Sequence, residues 1–434
     1  MSSIGHIIKS ERIDQSMKQT TLAKGICSTS YLSKIENSLT VPSEEVVNLL
    51  LKKLNIEIDQ VSSEKENKVI TSLSELYKIG ILKRDKKFIR EALQKYTDEK
   101  LHFLQLNNYY SYQLYLFRLL LILDEKKENL QSIYKAIVQI KDEIDEKTKF
   151  ILNLNLGIHS YLEGNYQGAL NRLELSLGHL NKGSMEEWEL ADFYNVLSLT
   201  YSKCNEFFNA INYASKSLLY YKDNLLFERA IDNYIVIGIA YKKMRQFQEA
   251  EKNYYLAAKL AKDYNLINYE EVIYQNLGSL YAIQGCPEKA IEFYKLSLKI
   301  KEEDCNAEGY LLTTLSIIKE YSKQSDHQQV LQWCQKGLIK IAQEKSSTKN
   351  YFAYFYHLEI YSHYLNQTEE LEMVLTEAIS YFENEQDGRH VQKYSILLAD
   401  YLFKHHKFKA ASIYYQKANQ VLFKQKFINN WEDL

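Results

Sequence analysis

Prolines number two in 434 residues, Pro42 and Pro287, and glycines only fourteen. So few breakers exclude a turn-rich β architecture and leave room for long helices. The five cysteines (Cys27, Cys204, Cys286, Cys305, Cys334) are scattered, with no CxxC pair and no histidine cluster at zinc spacing. That speaks against a disulfide frame or a metal site and for reduced, buried thiols, with no cofactor expected. No run of eighteen apolar residues occurs, and the first residues lack the apolar core of a signal peptide, so the expectation is a soluble cytoplasmic chain with no membrane partner. A formal net charge of −2 gives no global field that would draw nucleic acid. There is no P-loop, no glycine-rich nucleotide loop and no nucleophile–base arrangement, and the ten histidines are dispersed. An enzyme is therefore not expected.

Tyrosine, by contrast, is abundant at thirty-six residues. Tyr201, Tyr241, Tyr281, Tyr321, Tyr361 and Tyr401 stand forty positions apart. Small residues recur nine positions beyond most of them: Ala210, Ala250, Ala290, Val330 and Ala410, with a lapse at Glu370. A fixed period of this size is the signature of a solenoid, in which each helix pair buries its apolar face on the next. The fold class is all-α. About nine helix pairs are expected, the last seven starting near Phe150, Ala191, Ile231, Glu271, Leu311, Tyr351 and Val391. The ladder tyrosines read as packing residues, bulky enough to fill the wedge between pairs.

The first sixty residues are built on a different plan. Ile4, Ile7, Ile8 and Ile13 suit one helix face, with Lys9, Glu11, Arg12 and Asp14 opposite. A short helix from Gln19 to Lys24 is ended by Gly25, which is free to turn left-handed. Ser28 can cap a helix from Thr29 to Glu36 in which Leu32 and Ile35 face inward. Thr29, Ser30, Ser33 and Lys34 are then left outward. A fourth helix begins at Ser43, with Glu44 and Glu45 in its first turn, where the helix dipole favours them.

Gln19, Leu22-Ala23, the run Tyr31 to Asn37 and Pro42-Ser43 resemble the lambda-repressor/Cro-like family. The resemblance implies a five-helix-type helix-turn-helix domain. Ser28, Thr29, Ser30, Ser33 and Lys34 would look into the major groove, Asn37 would join the DNA-contacting set, and Gln19 would bind a phosphate. Residues 4–36 carry five basic and three acidic side chains. A weakly basic reading head of this kind needs a second half-site, so a dimer on operator DNA is expected.

Residues 57–68 are polar and without an apolar stripe. They are the expected linker between a DNA-binding domain at 1–63 and a repeat domain at 66–434. The pattern Asn276-Leu277-Gly278…Tyr281…Gly285…Ala290…Tyr294 resembles the tetratricopeptide repeat, and implies a right-handed superhelix whose inner wall is lined by the first helix of each pair. Polar residues on those helices are the candidates for binding a peptide: Asn155, Asp192, Asn195, Asp232, Asn233, Gln275 and Asn276. An asparagine amide both donates and accepts, so it can clamp a peptide backbone without reading its side chains.

A Cro-like head leading into such an array resembles the peptide-pheromone quorum-sensing regulators of the Rap/NprR/PlcR/PrgX group, and the run Gly25 to Asn37 is most like its NprR branch. The resemblance implies a short signalling peptide that binds the concave face and resets homo-oligomer state and DNA binding, in a setting that includes sporulation. Some members also bind a response regulator. The alternative expectation is accordingly a protein-binding regulator that sequesters or dephosphorylates such a partner.

Overall fold

A computed structural model of the chain describes residues 4–37, 39–56, 63–97, 103, 105–124, 127–138, 144–180, 185–344 and 351–426. Among the described residues the regular structure is helical, without a strand. Two compact units are present, Met1–Ala240 and Tyr241–Leu434.

The first unit opens with α1 (Ile4–Asp14), α2 (Gln19–Ala23), α3 (Thr29–Glu36) and α4 (Glu44–Lys53). Ile7, Ile8, Leu22, Leu32, Ile35, Leu50, Leu51 and Leu54 close over one another as its core. Gly5 sits where α1 crosses α3, and a Cβ there would fall 1.9 Å from the Ile35 carbonyl oxygen. Ile13, expected on the inner face, is 56% exposed. It lies five residues past Ile8, roughly 140° round the helix, so it has left the apolar stripe. Four described helices, where five were expected, precede the next element, which is a long one. Residues 57–62 of the expected linker lie outside the described residues, and Ser63 to Lys68 are already the first turns of α5 (Ser63–Lys83).

Seventeen more helices come after α5 among the described residues. They are α6 (Lys86–Thr97), α7 (Leu106–Ile122), α8 (Lys127–Val138), α9 (Glu146–Leu162), α10 (Tyr166–His179), α11 (Glu187–Lys203), α12 (Phe207–Asp223), α13 (Phe227–Lys243) and α14 (Phe247–Asp263). Then come α15 (Ile267–Ile283), α16 (Pro287–Glu303), α17 (Ala307–Lys323), α18 (His327–Gln343), α19 (Phe352–Asn366), α20 (Leu371–Asn384), α21 (Gly388–Lys404) and α22 (Phe408–Lys426). With α5 they make nine pairs, the number expected. Six of the seven later pairs start three to four residues before their expected positions, while α19 starts one residue after.

From α11 to α18 every helix has 17 residues and the next begins after a three-residue link, which produces the forty-residue period. The extra length over a common tetratricopeptide unit therefore lies in the helices and not in the links. Each link turns on one left-handed residue: Asn205, Leu225, Arg245, Asn265, Gly285, Cys305 and Ser325. The next N–H then reaches back to a carbonyl in the last turn, closing the helix with a Schellman bond. For α11, α13, α15 and α17 that carbonyl belongs to Tyr201, Tyr241, Tyr281 and Tyr321, at 2.9, 2.9, 2.9 and 3.0 Å. The first four rungs of the ladder thus mark one helix-ending position. Tyr361 and Tyr401 keep the spacing but not the place: in α19 and α21 the bonds go to His363 and Leu402.

The small residues serve close packing. Ala210, Ala250, Ala290 and Val330 are fully buried, and a Cβ on Gly278 would meet the Tyr294 ring at 2.5 Å. Pro287 opens α16, where its missing N–H costs nothing. Tyr201 stacks on Tyr213, and Tyr281 on Phe293, as wedge fillers should.

Candidate functional site

Two groups of polar side chains stand out against this packing, one on α3 and one on the first helices of the pairs. On α3, Ser28 caps the helix by accepting a hydrogen bond from Tyr31 N at 3.1 Å. Leu32 and Ile35 point into the core, which leaves Thr29, Ser30 and Lys34 exposed and Ser33 half-buried on the opposite side. Asn37 is exposed but tethered, donating from Nδ2 to Ser33 O at 2.9 Å and accepting from Lys9 Nζ at 3.0 Å. Gln19 is half-buried and turned inward, donating from Nε2 to Glu36 Oε2 at 2.7 Å. The α3 face is therefore open and polar over a closed core, while Gln19 is spent on the fold in the free chain.

Glu36 is buried and grips Arg12 with both oxygens, and Arg12 also donates to Met17 O at 2.8 Å. Burial works against the arginine's charge, but Glu36 outweighs it and holds the guanidinium above its ordinary pKa. The helical pattern assigns Arg12 to the solvated side of the first helix, and the fold corrects that assignment. Only a glutamate at the buried end of the third helix could have signalled the pairing.

In the first unit the expected groove residues divide sharply. Asn155, Asp192, Asn195 and Asn233 are all buried. Asn155 Nδ2 donates to Leu114 O of α7 at 2.8 Å, and Asn233 Nδ2 to Arg229 O of its own helix at 2.8 Å. Their amide oxygens, and both amide atoms of Asn195, have no hydrogen-bond partner. Asp192 receives Arg118 at 2.8 Å and Arg229 at 3.1 Å, while Arg229 also donates to the Tyr221 hydroxyl at 2.9 Å. Asp232, one turn along α13 from Arg229, keeps 34% of its side chain open and lies 3.6 Å from the Arg229 guanidinium. Arg84, from the turn after α5, completes the group at 4.0 Å from Asp192. The three arginines are absent from the repeat pattern, because they come from the turn after α5, from α7 and from α13 and meet only in the fold.

In the second unit Gln275 and Asn276 are half-buried. Gln275 Oε1 accepts from Lys301 Nζ at 3.2 Å and Thr313 Oγ1 at 2.8 Å. Asn276 donates to Val272 O at 2.9 Å and accepts from Lys242 at 3.4 Å. Burial pulls the Lys242 ammonium down to about 8, with Lys243 adding to the effect. Among the described residues no group of three His, Cys, Asp or Glu is placed to hold a metal ion, and no helix is long and apolar enough to cross a membrane.

Comparison with known proteins agrees with this division. Residues 8–61 match the helix-turn-helix family model. The chain is 29% identical over 408 residues to the transcriptional activator NprA of Geobacillus stearothermophilus, covering 92% of this chain and 98% of that one. In fold it is similar to the apo form of the quorum sensor NprR from B. thuringiensis, with a TM-score of 0.67 at 19% identity over 82% of this chain and 99% of that one. NprR in complex with its cognate peptide NprX gives 0.54 at 18% identity, over 81% and 99%. With a Cro-like reading head leading into a tetratricopeptide-type array, the chain fits the group of regulators that contains the Rap, NprR and PlcR proteins.

Proposed function

We propose that this chain is a cytoplasmic, peptide-responsive transcription regulator. It binds operator DNA as a dimer through α3 and a short signalling peptide through the first helices of its repeats. The observation that carries the reading is the contrast within one chain. Ser30 and Lys34 stand open on a capped helix over a closed core, while the repeats hold buried amides with unused hydrogen-bonding atoms. Base edges in a major groove suit the first arrangement, since they are read by short polar and basic side chains. An extended peptide backbone, with its alternating N–H and C=O groups, suits the second. The likeness to an activator over nearly the full length supports the same reading.

Asn155, Asp192, Asn195, Asp232, Asn233, Gln275 and Asn276 are the proposed peptide-binding residues. Ser28, Thr29, Ser30, Ser33 and Lys34 are the proposed DNA contacts. Gln19, at a phosphate, and Asn37 complete the proposed DNA contacts, and each already holds a hydrogen bond in the free chain. Binding accounts for every one of these side chains, and the reading is of a regulator and not an enzyme.

The test is a gel-shift titration on DNA from this protein's own gene neighbourhood, with and without a synthetic short peptide encoded beside it, and then sedimentation. Specific binding whose affinity and oligomer state move with peptide is the expected result. Specific binding indifferent to every such peptide would reject the peptide half, and the absence of any specific binding would reject the DNA half.

A further inference from the structure

Five charged side chains of the first unit converge from three helices and one turn, and their charges do not cancel. Among the described residues the ion pairs of Arg84, Arg118 and Arg229 go to Asp192 and Asp232, three cations against two anions. Asp192 already takes Arg118 and Arg229 on separate oxygens. Arg84 is left with an ion pair at 4.0 Å, beyond hydrogen-bonding distance. The Nε atoms of all three arginines, and one terminal nitrogen of Arg229, are buried without a hydrogen-bond partner.

Arg84 is the arginine of this group that reaches solvent. Its side chain is 38% open, yet desolvation, with Arg229 and Arg118 adding to it, drags the guanidinium down to about 10. Asp232 shows the same combination, 34% open and pushed upward by desolvation. Arg84 and Asp232 are thus the partly open members of a cluster whose other side chains are buried. Partial desolvation strengthens a charge-assisted bond to a ligand group that reaches them.

We propose that this cluster is a carboxylate-binding subsite of the peptide groove, with Arg84 as the residue that takes the ligand's carboxylate. The proposal rests on the peptide-binding reading and adds to it the chemical class of one peptide group. That group is a free C-terminus or an aspartate or glutamate side chain, since both present the same two oxygens to a guanidinium fork. Arg118 and Arg229 remain on Asp192 and supply the surplus positive field. A basic peptide group at Asp232 is the competing outcome. It is disfavoured because it would raise an excess of positive charge that is already uncompensated.

The experiment uses the full-length protein and an equimolar pool of random heptapeptides in two forms, with free and with amidated C-termini. Retained peptides are sequenced by mass spectrometry for wild type, Arg84→Gln, Asp232→Asn and the neighbour Lys83→Gln. Wild type should favour either the free-C-terminus form over the amidated form, or aspartate and glutamate at one fixed position in both pools, by about tenfold or more. Arg84→Gln should erase that preference while still retaining peptides. Asp232→Asn should sharpen it, and Lys83→Gln should leave it unchanged. A preference for the free form without a sequence bias assigns the C-terminus, and an acidic bias that survives amidation assigns a side chain. Retention with neither an acidic bias nor a preference for the free C-terminus, with a basic bias, or with a preference that Arg84→Gln keeps would overturn the subsite and leave peptide binding standing. Retention of nothing by the folded wild type would overturn the peptide reading, and this proposal with it. Should Arg84→Gln fail to fold, the Asp232→Asn comparison decides alone.

Discussion

Arg12 holds both carboxylate oxygens of Glu36, Nε on Oε1 at 2.6 Å and a terminal nitrogen on Oε2 at 2.9 Å, tying α1 to the end of α3. The glutamate side chain is fully buried and the arginine nearly so. Removing either partner leaves a buried charge without its counterpart, which costs about 3–5 kcal/mol. Glu36→Gln and Arg12→Met should each lower the hydrogen-exchange protection of α2 and α3 by an amount in that range. The double change Arg12→Met with Glu36→Leu should cost markedly less than either alone. Equal losses in all three proteins would mean that the pair is held by its surroundings.

Specific DNA binding should disappear in the double variant Ser30→Ala, Lys34→Ala, while its helical signal and melting match wild type. Both side chains are exposed, and the core contacts of α3 come from Leu32 and Ile35. Each good base contact contributes about 1–3 kcal/mol of discrimination. Fluorescence anisotropy on a specific and a scrambled operator measures the difference, and unchanged discrimination would remove α3 from the groove.

Asn195 buries both amide atoms without a hydrogen-bond partner. A free chain that carries this cost should lose little by Asn195→Ala, because relief of about 1–3 kcal/mol of polar desolvation offsets the lost packing. Peptide affinity should nevertheless fall by about 1–3 kcal/mol, since the amide is the proposed backbone clamp. Calorimetric titration beside thermal melting separates the two effects. A variant that melts much earlier yet binds normally would make Asn195 a structural residue.

In the second unit His357 bonds the Tyr394 hydroxyl, and its ring lies 4.6 Å from that of His390, itself paired with Asp387 at 2.6 Å. Burial first, then the proximity of His390, Lys393 and Lys319, push its imidazole down to about 3, with Asp387 opposing. A histidine depressed in the fold binds its proton first in the unfolded chain. Its contribution is therefore intact above the unfolded pKa of about 6.5 and is lost as pH falls from there towards 3, by at most about 1.4 kcal/mol per pH unit. His357→Gln cannot titrate and can keep a bond to Tyr394. Its melting temperature should fall less between pH 7 and pH 5 than that of wild type, and parallel curves would exclude His357 as the cause.

Periodicity made the array legible, because a repeat states its packing several times over. Four tyrosines proved to be one helix-ending position, and four small residues one contact between helices. Where the spacing survives without the structural place, as at Tyr361 and Tyr401, counting alone could not tell. In the first domain the helix limits came from Gly25, Ser28 and Ser43, residues whose local chemistry ends or caps a helix. Ile13 was misplaced because a hydrophobic residue was credited to a stripe it had already rotated past. The polar centre of the first unit was half visible. Asp192 and Asp232 stand forty apart on the pattern, whereas Arg84, Arg118 and Arg229 share no period. Long-range ion pairs leave no mark on local sequence, so these residues emerged only once the helices were packed.

The left-handed residue that closes each link recurs every twenty positions from Asn205 to Ser325, and six of the seven are not glycine. Such residues tolerate that conformation at some cost, so the turn is imposed by the helices on either side and not by the residue within it. The chain is in effect cut into interchangeable lengths. Excising forty residues, such as 267–306, rejoins Leu266 to Ala307 with every later side chain on its former face, whereas excising twenty exchanges first for second helices through the remainder of the array. Growth or shrinkage by whole pairs is then the natural way for such a sequence to change the length of ligand it can hold, with no new core to invent.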